Sequence, residues 1–191
     1  MATNGYNHIK FYDAYEDSFY FEVVEPDLDE DSFRISSRFP KQLIQSKDQK
    51  CLILNTEGNL QVKNLTTEEL LDPEHKFNIQ IYKDSVLEPR KGRAVMLYAN
   101  KNGQKIMVCC NESCEIYAEA MDLPLMINGT RHKALFYMTE QSASKQYKFE
   151  STMHQRWFLG FEPDKSNPCL HRLVLKDSGD DTCVYMTDCM E

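Results

Sequence analysis

Short strand-like runs, recurring at intervals of about ten residues beyond residue 40, most constrain how this chain can fold. In the clearest run, 77–82, Phe77, Ile79 and Ile81 alternate with other side chains. We therefore expect these three side chains to share one face and to point into the core. The spacing predicts an all-β sandwich or barrel. The predicted strands are 50–54, 60–63, 77–82, 94–98, 105–109, 115–118, 134–138, 147–150, 158–161, 173–176 and 183–186.

Turn residues separate these runs, and helix is scarce. Asn102-Gly103 is the strongest hairpin signal, because both positions of a tight hairpin turn need positive φ. At 66–71, Thr66 and Glu69 have the spacing of a capping box, and Pro73 follows. The sequence therefore predicts one short helix, placed in a loop and not in the scaffold.

The strand pattern leaves two architectures open. Eleven or twelve short strands in about 150 residues fit a β-trefoil, which is a closed six-stranded barrel capped by hairpins, as well as they fit a sandwich. The sequence shows no clear threefold repeat that would decide between the two.

Charge divides the chain at residue 31. Residues 1–31 hold nine of the thirty acidic residues and one of the twenty-two basic ones, so the formal net charge of −8 lies in this segment. The segment ends in Leu28-Asp29-Glu30-Asp31, and Ser32 follows. A cut after Asp31 would separate two electrostatically different pieces, as in a masked precursor, although acidic runs are usually solvated tails.

Composition narrows the function classes. The chain is 41% hydrophobic and 27% charged, with pI about 5.2, which indicates a globular protein and disfavours nucleic acid as a partner. No apolar run approaches the ~18 residues of a membrane helix, and no secretory signal is recognisable, so we expect synthesis in the cytosol. We expect most of the seven cysteines to be reduced, buried thiols.

Binding is favoured over catalysis. The sequence contains no nucleophile elbow, P-loop, dinucleotide fingerprint or zinc-protease motif. Cys109, Cys110 and Cys114 lack the paired spacing of a structural zinc site. We therefore expect no enzyme, no cofactor and no metal. The enzymatic alternative would use Cys109 or Cys114 as a nucleophile.

Three separated regions of the sequence resemble the interleukin-1 cytokine family. FES at 149–151, WFLG at 157–160 and RLVLK at 172–176 are similar to its C-terminal signature. IYKDS at 81–85, PR at 89–90 and GRAV at 92–95 resemble the interleukin-18 branch, and Leu28 to Asp31 is similar to the processing site of that branch. The resemblance covers nearly the whole chain.

The resemblance implies a β-trefoil of about twelve short strands with one or two loop helices, made as an inactive precursor. A caspase of the caspase-1 type would cut after Asp31, with Leu28 as the apolar P4 residue and Ser32 as the small P1′ residue. Residues 1–31 would be the pro-segment and 32–191 the cytokine domain. The precursor would be cytoplasmic, and the processed form would leave the cell by a leaderless route.

The resemblance also implies binding partners. The processed form would bind a primary interleukin-18-type receptor and recruit an accessory receptor chain, with a soluble binding protein as a further partner and without membrane insertion. The candidate receptor-binding residues are Ile35, Arg38, Asp48, Lys83, Asp84, Arg90 and Arg93. The signature residues Phe149, Trp157, Phe158, Leu159, Leu173 and Leu175 would pack in the core. The alternative is an intracellular or decoy trefoil protein without agonist activity.

Overall fold

The computed structural model describes residues 8–15, 18–24, 32–85, 92–141, 145–177 and 182–188. The chain divides into two compact units, Met1–Glu30 and Asp31–Glu191. The predicted cleavage residues Leu28 and Asp31, and the predicted receptor contact Arg90, lie outside the described residues. In the part that is described, no helix has the length and apolarity that a membrane span requires.

The first unit contains a β-hairpin. Strand β1 (His8–Tyr15) pairs antiparallel with β2 (Ser18–Val24). The pairing is irregular between Phe11 and Asp13. Sequence analysis did not predict these strands, although aromatic and β-branched residues favour extended backbone.

The second unit contains thirteen strands within the described residues, all joined in one sheet. They are β3 (Ser32–Gln45), β4 (Cys51–Leu54), β5 (Leu60–Lys63), β6 (Phe77–Asp84), β7 (Arg93–Lys101), β8 (Gln104–Cys110), β9 (Ile116–Ala120), β10 (Met126–Asn128), β11 (Phe136–Glu140), β12 (Gln146–Ser151), β13 (Phe158–Pro163), β14 (His171–Lys176) and β15 (Val184–Asp188). All eleven strands predicted from the sequence are present, with bounds shifted by a few residues at most.

Six of the strands close into a barrel. Antiparallel pairs join β3 to β6, β6 to β7, β7 to β11, β11 to β12, β12 to β15 and β15 back to β3. Three hairpins, β4–β5, β8–β9 and β13–β14, complete the unit. Each hairpin lies between two barrel strands in the chain, so a four-stranded module occurs three times. This is the predicted β-trefoil, and the sandwich alternative was wrong.

The local turn and helix predictions are confirmed. Asn102 and Gly103 adopt φ of 50° and 78° between β7 and β8, as a tight hairpin turn requires. Helix α1 (Thr67–Leu71) begins after the N-cap Thr66. Its capping box is complete, because the Glu69 N–H donates to Thr66 Oγ1 at 3.2 Å and the Thr66 N–H donates to Glu69 Oε2 at 2.8 Å. A 3₁₀ turn follows over Pro73–His75.

Strand β3 is the longest strand, and the sequence did not predict it. Its register against β6 shifts between Ile35 and Arg38 and again between Phe39 and Gln42. Each shift inserts one extra residue in β3, so the alternation of inward and outward side chains reverses and then returns. A strand interrupted in this way shows no continuous period of two.

Two hydrophobic clusters cover opposite faces of β6 and β7. The barrel-interior cluster contains Phe77, Ile79, Val95, Phe136 and Phe149, together with residues from all three hairpins. The outer cluster contains Phe33, Tyr82, Met96, Tyr98 and Leu135, under the segment 121–135. Phe77 and Ile79 are fully buried as predicted, whereas Ile81 is half-buried.

Two of the six signature residues are less buried than the other four. Phe149, Leu159, Leu173 and Leu175 are buried in the barrel-interior cluster. Trp157 is 37% exposed and Phe158 is half-buried. The core assignment was therefore wrong for Trp157, which lies in the connection between β12 and β13.

The described cysteines are free thiols. Cys51, Cys109 and Cys110 are buried, Cys114 and Cys183 are half-buried, and Cys169 is exposed. Burial raises the pKa of the Cys109 thiol to about 12. Because the thiolate is the nucleophilic form, this residue is unsuited to nucleophilic catalysis at neutral pH.

Candidate functional site

Three cationic side chains lie at one end of neighbouring barrel strands. Arg34 on β3 is directly opposite Lys83 on β6. Tyr82 pairs with Ala94 on β7, so continuing the register by one residue brings Lys83 opposite Arg93. The three side chains are exposed. Lys83 lies two positions after the barrel-interior residue Ile81 on β6, and Arg93 lies two positions before the barrel-interior residue Val95 on β7. We call Arg34, Lys83 and Arg93 the cationic rim.

The rim concentrates positive charge at one end of the barrel strands. Arg34, Lys83 and Arg93 form no ion pair with another residue in the described ranges. Like charges directly opposite each other on a sheet are destabilising, with Cβ atoms about 5 Å apart. The guanidinium carbon of Arg93 lies 5.7 Å from the centroid of the Phe39 ring, in cation–π geometry. The rim is therefore complementary to an acidic surface.

Arg38 and Ile35 lie on the outer side of β3. The Arg38 Nη1 donates to the hydroxyl of Tyr98 at 3.2 Å, and Tyr98 is fully buried. Ile35 is half-buried against the outer cluster, and its N–H donates to the Leu125 carbonyl at 2.9 Å. The structure therefore separates Arg38 and Ile35 from the face that carries the cationic rim.

Ser32, the predicted P1′ residue, begins β3 and pairs with a neighbouring segment on each edge of the strand. Its N–H donates to Ser85 Oγ at 2.9 Å, and its carbonyl accepts from the Ser85 N–H at 2.9 Å. On the other side, Ser32 pairs with Asn128 on β10. A protease acting immediately before Ser32 would meet a strand that is already hydrogen-bonded.

Asp84 and Asp48 are not part of the cationic rim. Asp84 is opposite Phe33, one residue beyond the Arg34–Lys83 pair, so its side chain belongs to the other face of the sheet. Asp48 is exposed in the connection between β3 and β4, at the far end of β3 from Arg34. It borders a cavity of about 260 Å³ beside β13 and β14. The other lining residues are Ser46, Lys47, Phe161, Pro163 and His171.

The sequence missed several residues that shape this region. Arg34, Phe39 and Tyr98 were not among the predicted contacts, because their roles depend on strand register and not on local pattern. Within the described residues, no group of three His, Cys, Asp or Glu side chains is placed to hold a metal ion. The described residues thus form an exposed patch of positive charge on adjacent barrel strands.

Comparison with known proteins identifies relatives of this chain. The family model described as Interleukin-1 / 18 matches residues 60–184. No curated protein sequence matches the chain significantly. A glutamate-to-alanine variant of Gallus interleukin-1 beta is 19% identical, with TM-score 0.60, and the match covers 82% of this chain and 99% of that chain. The chicken cytokine interleukin 1 beta is 17% identical, with TM-score 0.59 and the same coverage of both chains. The likeness to these structures shows the β-trefoil fold.

Proposed function

Since this chain belongs to the interleukin-1/interleukin-18 family, we propose that it is a cytokine of the interleukin-18 type, made as a precursor. Members of this family are signalling proteins and not enzymes, which confirms the sequence prediction that the chain is not an enzyme. The processed form binds a primary interleukin-18-type receptor and then recruits an accessory receptor chain. A soluble binding protein that competes for the same surface is a further partner.

The cationic rim is the observation that carries the receptor proposal. Three exposed cations on adjacent strands, two of them directly opposed, raise the energy of the isolated body. An acidic receptor surface would relieve this repulsion and would accelerate association. Arg38, Ile35 and Asp48 would contribute contacts elsewhere on the body, because they lie outside the rim.

Activation would remove the acidic segment. A caspase of the caspase-1 type would cut after Asp31 and leave a body that begins at Ser32. Asp29, Glu30 and Asp31 precede Arg34 by three to five positions in the sequence, so they place negative charge in the stretch of chain that leads into the rim residue. The cut would remove that charge. We propose that the precursor is cytoplasmic and that the processed form is exported without a leader.

A binding experiment tests the receptor proposal. The full chain would be cut with caspase-1, and its affinity for the ectodomain of a primary interleukin-18-type receptor would be measured by surface plasmon resonance. Lys83→Glu should weaken binding by about tenfold or more and reduce its salt dependence. Lys165→Glu makes the same charge change at an exposed position in the β13–β14 connection and should leave binding unchanged. Equal losses in the two variants would refute a role for the rim.

A digestion experiment tests the activation proposal. Incubation of the full chain with caspase-1, followed by intact-mass measurement, should yield a body that starts at Ser32. Asp31→Ala should abolish that product, while Asp29→Ala should retain it. A product that begins elsewhere, or the same receptor affinity before and after cutting, would contradict activation at this bond.

A further inference from the structure

A buried glutamine supports the irregular part of β3. Between the pairs Ile35–Tyr82 and Arg38–Gln80, β3 has one residue more than β6, so Ser36 and Ser37 form a bulge. A bulge leaves carbonyl groups outside the regular ladder, and such groups need other hydrogen-bond donors. The structure supplies these donors from a single side chain.

That side chain belongs to Gln80, which is 3% exposed. Its Nε2 donates to the Ser36 carbonyl at 3.0 Å and to the Ser37 carbonyl at 2.9 Å. A third carbonyl, that of Ile81, lies 3.2 Å from the same nitrogen. A side-chain amide has two N–H donors, so the two bulge carbonyls take the two shortest contacts.

The bulge determines which face the following residues occupy. Before it, Phe33 and Ile35 contribute to the outer cluster. After it, Phe39 packs on the barrel-interior cluster, although 33, 35 and 39 are all odd-numbered positions. Arg38 is thereby directed to the outer face, where it reaches the Tyr98 hydroxyl. Without the extra residue, Arg38 and Phe39 would exchange faces.

We infer that Gln80 is a positioning residue, whose amide holds the Ser36–Ser37 bulge and so presents Arg38 on the outer face and Phe39 beneath Arg93. The contribution to receptor binding rests on the proposed function. The contribution to the bulge does not, and it can be measured on the chain alone.

The test removes the N–H donors of the Gln80 side chain and keeps the length of that side chain. Gln80→Glu replaces the two N–H donors with an oxygen that faces carbonyl groups, and Gln80→Met removes the polar group while keeping the length of the side chain. Asn78→Asp is the matched control. Asn78 is also a buried amide on β6, 6% exposed, but its Nδ2 donates to the Tyr98 carbonyl at 3.4 Å and not to β3.

Hydrogen exchange on the full chain measures the bulge directly. The amides of Ser36, Ser37 and Arg38 should exchange at least about tenfold faster in Gln80→Met than in the unsubstituted chain, because the variant loses both buried hydrogen bonds from Gln80 to the bulge. Asn78→Asp should leave these amides unchanged relative to the rest of β3. Unchanged exchange in Gln80→Met, or equal acceleration in the control, would overturn the inference.

Receptor binding by the caspase-cut chain tests the positioning of Arg38. Gln80→Glu and Arg38→Ala should each weaken binding by about tenfold, and the double variant should be no weaker than either single variant, because both changes remove the same contact. Fully additive losses would overturn the role of Gln80 in presenting Arg38. If the unsubstituted cut chain fails to bind, the proposed function fails, and the exchange measurement alone decides the role of Gln80.

Discussion

The unequal burial of two aromatic signature residues leads to a quantitative prediction. Phe149 is fully buried in the barrel-interior cluster, opposite Met138 of β11. Phe149→Ala removes a buried ring and leaves a cavity in the middle of the barrel, which destabilises a protein by about 3–5 kcal/mol. A domain of this size has about 5–15 kcal/mol of stability in all, so the variant should be folded but marginal.

Trp157 should behave differently, although it belongs to the same sequence signature. Its side chain is 37% exposed, so truncation opens space to solvent instead of an internal cavity. Its backbone carbonyl accepts from the Ser151 N–H at 2.8 Å, and an alanine keeps that bond. We expect Trp157→Ala to cost about 1–2 kcal/mol, which is less than the effect at Phe149.

Urea denaturation of the full chain, followed by circular dichroism, measures both losses. Phe149→Leu serves as the milder variant at the buried site and should fall between Phe149→Ala and the unsubstituted chain. The unfolding slopes should stay similar, so that the midpoints report stability. A loss at Trp157 equal to or larger than that at Phe149 would refute the assignment of the barrel interior.

Three further predictions concern protonation, thiol access and proteolysis. Burial lowers the pKa of His132 below its usual 6.5, so the unfolded chain binds the proton first as the pH falls. Stability should therefore fall as the pH drops below about 6.5, by at most about 1.4 kcal/mol per pH unit. Urea titrations should show a weaker dependence of stability on pH in His132→Gln, and the same dependence in both chains would contradict this. Peptide mapping after iodoacetamide treatment of the native chain should find Cys169 modified and Cys109 protected, whereas equal labelling would contradict the burial. Ser85→Ala removes a bond that holds the strand after Asp31, so caspase-1 should cut faster, and a slower cut would refute restraint by that bond.

Local chemistry made much of the fold predictable. The Thr66–Glu69 capping box and the Asn102-Gly103 turn depend on residues a few positions apart, and both predictions are confirmed. In β6, Phe77, Ile79 and Ile81 share the barrel-interior face as predicted, but Ile81 is only half-buried. The trefoil itself rested on the family resemblance, because the barrel is closed by pairs between strands distant in sequence. A period of two cannot specify which strands pair.

The parts that the sequence did not predict depend on register. The bulges in β3 hide its alternation, and one of them is held by Gln80 from another strand. The opposition of Arg34 and Lys83 appears only when β3 and β6 are aligned. Trp157 was assigned to the core as a member of the family signature, but its place in a connection leaves it partly exposed.

The closure of the barrel by β15 has a consequence for how the protein reaches its native state. Thr187 Oγ1 of β15 donates to Gln45 Oε1 of β3, across 142 positions of the chain. During synthesis, β3 emerges from the ribosome long before its partner exists, and one of its edges stays open until β15 arrives. The barrel therefore closes only after β15 has been synthesised, and until then nascent chains should be susceptible to edge-to-edge association and should engage chaperones.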